Sequence, residues 1–151
     1  MSVFDGKNLF SGVVSGVEAM TIMNSRGRAQ NSNLTRYEAP SLQSTGSGAV
    51  ENENLSLVRS KGRIIKTILE IFANSLNGDT TFTVRRHKQN NTVHQDAEFN
   101  RVISAGQVTV IEDNTKIEFE DWDLFNMRII TAGTVGSITY KFLFVWEWDK
   151  V

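Results

Sequence analysis

The sequence predicts an all-β fold: an antiparallel β-sandwich of about eight strands, of the jelly-roll kind, preceded by an extended N-terminal arm. Three observations lead to this prediction. Asn, Ser and Thr each occur 13 times, beside 11 Gly and a single Pro, and these polar side chains compete with helical backbone hydrogen bonds. Apolar and polar residues alternate in short segments after about residue 49. Turn residues separate those segments at intervals of about 8–12 residues, which is typical of sandwiches.

Residues 1–45 form the predicted arm, and residues 46–151 form the predicted sandwich domain. Glycines and polar runs interrupt the arm, so no helical or strand period extends through it. The arm nevertheless carries apolar side chains that an idle tail would not need, among them Phe4, Phe10, Met20 and Met23. We therefore expect the arm to become ordered only against another chain, and the sandwich to fold without it.

Strand signals follow one another along the sandwich domain. Period-2 alternation predicts strands near residues 50–59, 80–86, 107–111, 116–120, 124–131 and 137–146. Residues 64–73 fit a helical face as well as a strand, and their dense β-branched residues favour the strand. Turns are predicted at residues 77–78, 90–91, 105–106, 113–114 and 133–136. The first of these, Asn77-Gly78, is the strongest hairpin signal because both residues tolerate positive φ.

Composition and charge exclude several classes of protein. The 16 basic residues nearly balance the 17 acidic ones, for a net charge of −1, which argues against a dedicated DNA-binding protein. No cysteine is present and only two histidines are, so disulfides, thiolate metal sites and a cysteine nucleophile are excluded. Phosphate-loop, dinucleotide and serine-hydrolase motifs are absent. We expect no enzymatic activity, no cofactor, no metal, no direct nucleic-acid role, no secretion signal and no membrane segment.

Two clusters of potential ligands have plain structural interpretations. His87 and His94 flank a predicted turn and lack an obvious third ligand, so we interpret them as surface imidazoles rather than as a metal pair. The acidic run at residues 118–123 is interpreted as a solvated face followed by a turn. A weak Ca²⁺ site and a carboxylate pair of the glycosidase type are the alternatives for this run.

Charge and aromatic residues also predict a contact surface. Basic residues at 59–66 and 85–88 and acidic residues at 112–123 suit contacts between identical subunits or with a scaffold. The tryptophans are interpreted as core or interface residues, with a sugar-stacking platform as the alternative. The candidate interface residues are Phe4, Phe10, Met20 and Met23 in the arm, and Arg59, Lys61, Arg63, Arg85, Arg86, Glu118, Glu120, Asp121, Trp122 and Trp148 in the sandwich.

Four segments cover about two-thirds of the chain and read GSGAVENENLSLVRSKGRI, ILEIFANSLNGDTTFTVRRHKQNNT, NRVISAGQVTVIEDNTKIEFEDWDLFNMRIITAG and GSITYKFLFVWEWD. Together they resemble the small jelly-roll virion proteins of tailed bacteriophages, of the capsid decoration (cement) or fibre-head type. At one corner such proteins often have Gly-Asp, whereas this chain has Trp122-Asp123. Residues 1–47 show no such resemblance.

The resemblance implies a virion structural protein, most simply a capsid-decorating subunit that binds the major capsid protein or another virion protein. Such a protein would be made in the host cytoplasm and would reside on the capsid surface, commonly as a homotrimer. A receptor-binding or fibre-head domain is the first alternative, and a carbohydrate-binding β-sandwich module is the second. The resemblance assigns no site residues.

Overall fold

The computed structural model describes residues 2–4, 20–24, 28–40, 47–49, 55–58, 61–88 and 94–149. Every regular element in these residues is a β-strand. The described residues contain no helix long and apolar enough to cross a membrane. The all-β prediction is therefore confirmed. The strands are β1 (Ser2–Phe4), β2 (Met20–Asn24), β3 (Arg28–Asn31), β4 (Leu34–Glu38), β5 (Ser47–Gly48), β6 (Ser56–Val58), β7 (Gly62–Asn74), β8 (Thr80–His87), β9 (Gln95–Ile103), β10 (Thr109–Asp113), β11 (Ile117–Phe119), β12 (Leu124–Thr131) and β13 (Ser137–Trp148).

The strands form two sheets. In sheet A, β8 lies between β9 and β12. The other edge of β12 pairs with both β4 and β6. Strand β4 pairs in turn with β5, and β6 pairs with β1. In sheet B, β7 lies between β13 and an edge made of β10 and β11, and the other edge of β13 pairs with β2 and β3. Pairing between the described strands is antiparallel except between β1 and β6. Sheet B thus has four strand positions, and sheet A has the same number plus an outer fifth made of β1 and β5. The two sheets confirm the predicted sandwich.

The order of these positions follows the jelly-roll connectivity. In sheet B the first position along the chain (β2 and β3) lies beside the last (β13). In sheet A the second position (β4 and β6) lies beside the second-to-last (β12). The chain crosses between the sheets at each of these steps, which is how two Greek keys wrap into one sandwich.

Alternation along β13 forms one wall of the core. The side chains of Ile138, Tyr140, Phe142, Phe144 and Trp146 point inward and have no solvent exposure, as the period-2 pattern predicts. Strands β8 and β12 supply the opposite wall, with Phe82, Val84, Phe125, Met127 and Ile129 equally buried. The two sheets therefore meet through large side chains that interdigitate between them.

Strand β7 resolves the ambiguity of residues 64–73 in favour of β structure. Its inward residues are Ile64, Thr67, Leu69 and Ile71, all nearly free of solvent exposure. The step from 64 to 67 breaks strict alternation because the pairing with β13 shifts register between Val145 and Trp146. Such a bulge inserts an extra residue into one strand, and it explains why this segment also fits a helical period.

The turn at Asn77-Gly78 occurs where it was predicted but does not form a hairpin. It links β7 of sheet B to β8 of sheet A. Gly78 is required for close packing, because a Cβ there would lie 2.5 Å from the backbone nitrogen of Gly133. The side-chain oxygen of Asn77 accepts a hydrogen bond of 2.8 Å from the Thr134 N–H. The turn predicted at residues 90–91 lies outside the described residues.

Part of the predicted arm belongs to the sandwich, which corrects the boundary at residue 45 for residues 28–40. Strand β3 pairs with β13, and β4 pairs with β12 along Met127–Thr131. Glu38 is fully buried, and its carboxylate accepts a hydrogen bond of 2.7 Å from the Tyr140 hydroxyl. Ala39 is only 2% exposed. These contacts join residues 28–40 to both sheets of the sandwich.

Candidate contact surface

The predicted basic and acidic faces lie side by side. Strand β11 pairs antiparallel with β7 in a register that sets Glu118 opposite Arg63. The Lys61 ammonium lies 3.1 Å from a Glu120 carboxylate oxygen, and an Arg63 guanidinium nitrogen lies 3.6 Å from Glu118. The two faces are therefore paired within the chain, and their complementarity does not by itself point to a second subunit.

Carboxylates outnumber cations where β7 begins and β13 ends. Arg63 also pairs with Glu147 and Asp149. The hydrogen bond to Asp149 raises the pKa of Arg63 above its ordinary value, and the hydrogen bond to Glu120 raises that of Lys61. We call the side chains of this region the acidic end: Lys61, Arg63, Glu118, Glu120, Asp121, Glu147 and Asp149. Arg86 also reaches this region, where it donates to the Glu118 carbonyl at 2.7 Å, so among the described residues five carboxylates stand against three cations.

A tight corner at residues 120–123, here named the Trp122 corner, links β11 to β12. The Trp122 N–H donates to the Val58 carbonyl at 2.6 Å, and the Val58 N–H donates to the Asp123 carbonyl at 2.8 Å. The buried Asp123 side chain accepts from the Glu120 N–H at 3.0 Å, and an Asp121 carboxylate oxygen accepts from the Lys61 N–H. The corner is thus fixed to the start of β7 and to β6 by both backbone and side-chain bonds.

Trp122 occupies an unfavourable backbone conformation at this corner. Its φ is +70°, in the left-handed region where Gly is the default residue and other L-residues are strained. Its side chain is 48% exposed. Trp146 and Trp148 are 0% and 4% exposed and pack on each other with ring centroids 5.1 Å apart. The three tryptophans therefore do not form a shared platform, and Trp122 alone presents its ring to solvent.

Two substitutions of Trp122 distinguish the effect of backbone strain from the effect of losing the indole ring. Trp122→Ala and Trp122→Gly remove the same indole, but only Gly relaxes the positive φ. We expect the Gly variant to be more stable than the Ala variant by about 1 kcal/mol. Urea unfolding of the two proteins measures the difference. Equal stability would mean that the backbone at this corner is not strained.

The acidic run at residues 118–123 serves the fold through these bonds. Glu118 and Glu120 lie on the exposed face and residues 121–122 form a turn, as interpreted, while Asp123 is 2% exposed and lies inside the corner. Glu118 and Glu120 are exposed and paired with cations. Across the described ranges, no three His, Cys, Asp or Glu side chains are grouped so that they could hold a metal ion.

The two arginines of the second basic cluster, Arg85 and Arg86, make contacts with different parts of the protein. Arg85 binds the Asp96 carboxylate and donates to the His94 carbonyl at 3.2 Å, and Arg128 lies 3.2 Å from the same carboxylate. The next residue, Arg86, donates instead to the Glu118 carbonyl at 2.7 Å. Arg85 and Arg86 therefore serve different contacts, as expected for successive residues of a strand.

The pair of guanidiniums around Asp96 predicts a pH effect. Burial raises the pKa of Asp96, but the hydrogen bond from Arg85 and the charge of Arg128 together hold it below the ordinary 3.8. A lowered folded-state pKa stabilises the protein above the unfolded value, and the contribution is lost as the pH falls through the folded value. Wild type should therefore exceed Asp96→Asn in unfolding free energy at pH 7, by less than about 1 kcal/mol because the pair is solvent-screened.

Denaturant titrations of both proteins between pH 7 and pH 2 would test this effect. The stability gap should shrink once the pH falls below 3.8. A gap that stays constant across that range would show that the Asp96 carboxylate does not act through its charge.

The two histidines lie close together. The rings of His87 and His94 are in contact with interplanar geometry near a T-shape, and His87 is only 3% exposed. The prediction of two surface imidazoles is therefore wrong for His87. Its register partner is Leu124 rather than the inward-facing Phe125, so His87 is buried on the outer face of sheet A, against the His94 ring.

An exposed apolar patch lies on the outer face of sheet B, and we name it the β10 patch. Its members are Phe72, Val108 and Val110, which are 49%, 60% and 57% exposed. The register Thr109↔Ile71 sets Val108 next to Phe72 on that face. The inward side of β10 carries Thr109, Ile111 and Asp113, of which Ile111 packs against the core.

Three of the remaining predicted interface residues lie in described strands. The backbone of Phe4 lies in β1 beside β6, and those of Met20 and Met23 lie in β2 opposite Glu147 and Phe144 of β13. Phe10 and Arg59 lie outside the described residues. Trp148 is buried on Trp146 and is not an exposed contact residue.

The fold and these surfaces define a jelly-roll β-sandwich that presents an apolar patch, a strained aromatic corner and an acidic end. Comparison of the chain with protein-family models, with curated proteins and with solved structures finds no match.

Proposed function

We propose that this chain is a non-enzymatic structural subunit of a virus particle, a capsid-decorating or cement protein on the surface of a phage head. It would act by binding copies of itself, most simply as a homotrimer, and by binding the major capsid protein or another virion protein. The resemblance of residues 48–148 to small jelly-roll virion proteins supports this proposal. The two-sheet sandwich is the fold which that resemblance implies.

The observation that carries the proposal is the β10 patch. Contiguous exposed apolar side chains mark protein contacts in otherwise well-packed domains, and the core of this sandwich is well packed around its buried aromatic residues. Strand β10 pairs only with β7 among the described strands. Natural proteins protect such edge strands, and a neighbouring subunit can cover both the edge and the apolar face.

A double substitution tests the proposal directly. The full chain at micromolar concentration should have three times the 16.9 kDa mass of one chain in light scattering, and it should co-sediment with capsids of tailed phages. Val108→Glu with Val110→Glu places two charges in the patch and should yield monomers. Val102→Glu is the matched control, because Val102 is also 59% exposed but lies on β9 of sheet A.

Two results would overturn the proposal. The first is a full chain that is monomeric and never sediments with capsids. The second is a charged patch variant that assembles and sediments like the wild type. Binding to host cells without binding to capsids would indicate the alternative of a receptor-binding or fibre-head domain.

A further inference from the structure

We propose that Asn77 is a latent deamidation site, which the turn between β12 and β13 keeps closed in the folded chain. When the two turns separate, the backbone nitrogen of Gly78 attacks the Asn77 side-chain amide, and the residue becomes aspartate or isoaspartate. This inference concerns the chemistry of the chain itself and does not depend on the role on a particle. It rests on the Asn-Gly sequence, on the hydrogen bonds of the Asn77 side chain and on the packing around Gly78.

The reaction is intramolecular and consumes only water. The Gly78 nitrogen loses its proton and forms a bond to the Asn77 side-chain carbonyl carbon, while the bond from that carbon to Nδ2 breaks and ammonia leaves. Water then opens the cyclic imide at either carbonyl, which gives aspartate or isoaspartate. Glycine favours ring closure because it has no Cβ to hinder the approach of its nitrogen. Asn77 is the only one of the 13 asparagines that precedes a glycine.

Three hydrogen bonds hold the Asn77 side chain against the turn at residues 132–137, and we call them the Asn77 clamp. The Oδ1 atom accepts from the Thr134 N–H at 2.8 Å and from the Val135 N–H at 3.2 Å. The Nδ2 atom donates to the Thr134 hydroxyl at 3.1 Å. A side chain held at both amide atoms is not free to rotate into the cyclic geometry. The clamp must therefore open before the ring can close.

Packing closes the site further. A Cβ at Gly133 would lie 2.4 Å from the Asn77 Oδ1 and 2.8 Å from the Gly78 nitrogen, so the second turn lies directly against the reacting groups. Next to them, the Ala132 N–H donates to the Asp79 carbonyl at 2.8 Å. The reaction thus requires local separation of the two turns, and its rate in the folded chain is limited by the fraction of open molecules.

The two products differ in their effect on the turns. Aspartate at position 77 keeps an oxygen that accepts from the Thr134 and Val135 N–H groups, so the clamp can form again. Isoaspartate instead directs the main chain through the former side chain, which inserts an extra backbone carbon before Gly78. Space there is short, since even a Cβ at Gly78 would lie 2.5 Å from the Gly133 nitrogen. We expect isoaspartate to keep the two turns apart.

Incubation of the full-length protein at mildly alkaline pH tests the site. Peptide mapping by mass spectrometry measures the conversion of Asn77, and labelling with an isoaspartyl methyltransferase identifies isoaspartate. The folded wild type should convert at least about tenfold more slowly than the same chain unfolded in urea, because the clamp must open first.

Two variants open the clamp in different ways. Gly133→Ala places a methyl group against the Asn77 Oδ1, and Thr134→Val removes the acceptor of Nδ2 but keeps the side-chain shape. Each should speed conversion in the folded protein by about tenfold and leave the rate in urea unchanged. Circular dichroism during incubation establishes that the variants are folded.

Gly106→Ala is the matched control for Gly133→Ala. Gly106 also has a positive φ, +71° against +94° at Gly133, but a Cβ there would meet nothing within 4 Å. It therefore adds similar backbone strain without touching the clamp, and the rate at Asn77 should not change. Asn77→Asp represents the aspartate product and should melt like the wild type.

Equal conversion of the folded and the urea-unfolded wild type would overturn the proposal, and so would folded-state rates that neither clamp variant changes. The isoaspartate form, separated by chromatography, should melt at a lower temperature than Asn77→Asp. Identical melting of these two proteins would contradict the inference that isoaspartate keeps the turns apart.

Discussion

A protein that begins at Gly48 should lose the cooperative thermal unfolding of the full chain. The truncation removes β1 to β4, so β13 loses both β2 and β3, and β12 loses β4. It also removes Glu38, the buried partner of the Tyr140 hydroxyl. Domains of this size are stable by only about 5–15 kcal/mol, and the loss of these four strands with their buried contacts exceeds what such a margin tolerates. Circular dichroism during heating measures the result.

This outcome is the reverse of the sequence-based expectation that the sandwich folds without residues 1–45. A second truncation, beginning at Arg28, keeps β3 and β4 and serves as the control. It should retain a cooperative transition, although lowered, because β2 no longer covers the edge of β13 from Leu143 to Glu147. If the protein beginning at Gly48 melted like the full chain, strands β3 and β4 would contribute nothing to the fold.

Phe125→Ala should destabilise the protein by about 3–5 kcal/mol, the range for large aromatic residues removed from a core. Phe125 lies on β12 of sheet A and touches three aromatic rings of sheet B. Its ring centroid lies 5.1 Å from that of Phe119, 6.1 Å from Phe144 and 5.8 Å from Trp146. The substitution therefore opens a cavity between the sheets, at the point where they are joined by contacts between aromatic rings.

Ile130→Ala on the same strand is the matched control for Phe125→Ala. Its side chain points away from the core and is 37% exposed, so its loss should cost less than about 1 kcal/mol. Chemical denaturation of the three proteins compares the effects. Similar losses for the two variants would show that the ring cluster does not hold the sheets together.

Strands whose residues alternate without interruption were predictable. β13 and β11 show why, because each has one apolar face that meets the core along its whole length. β7 was ambiguous because its bulge is produced by pairing with β13, far away in the chain. The sequence predicted the position of the turn at Asn77-Gly78 correctly but wrongly predicted a hairpin. The residues of a turn do not determine whether the next strand joins the same sheet or the other one.

The surfaces were less predictable than the strands. Charge clusters at Arg63 and Glu118 were visible in the sequence, but their mutual pairing depends on the register of β11 on β7. The positive φ of Trp122 depends on the hydrogen bonds of its corner, which the sequence does not show. The outward position of Val108 and Val110 follows from the pairing of β10, which no local pattern specifies.

The position of β12 and β13 in the two sheets constrains how the protein can be made. Among the described strands, β3 pairs only with β13, and β4 pairs only with β12 and β5. Neither β3 nor β4 can complete this pairing until residues 124–148 have been made. At synthesis rates of about 5–20 residues per second, β3 and β4 leave the ribosome several seconds before the strands that pair with them.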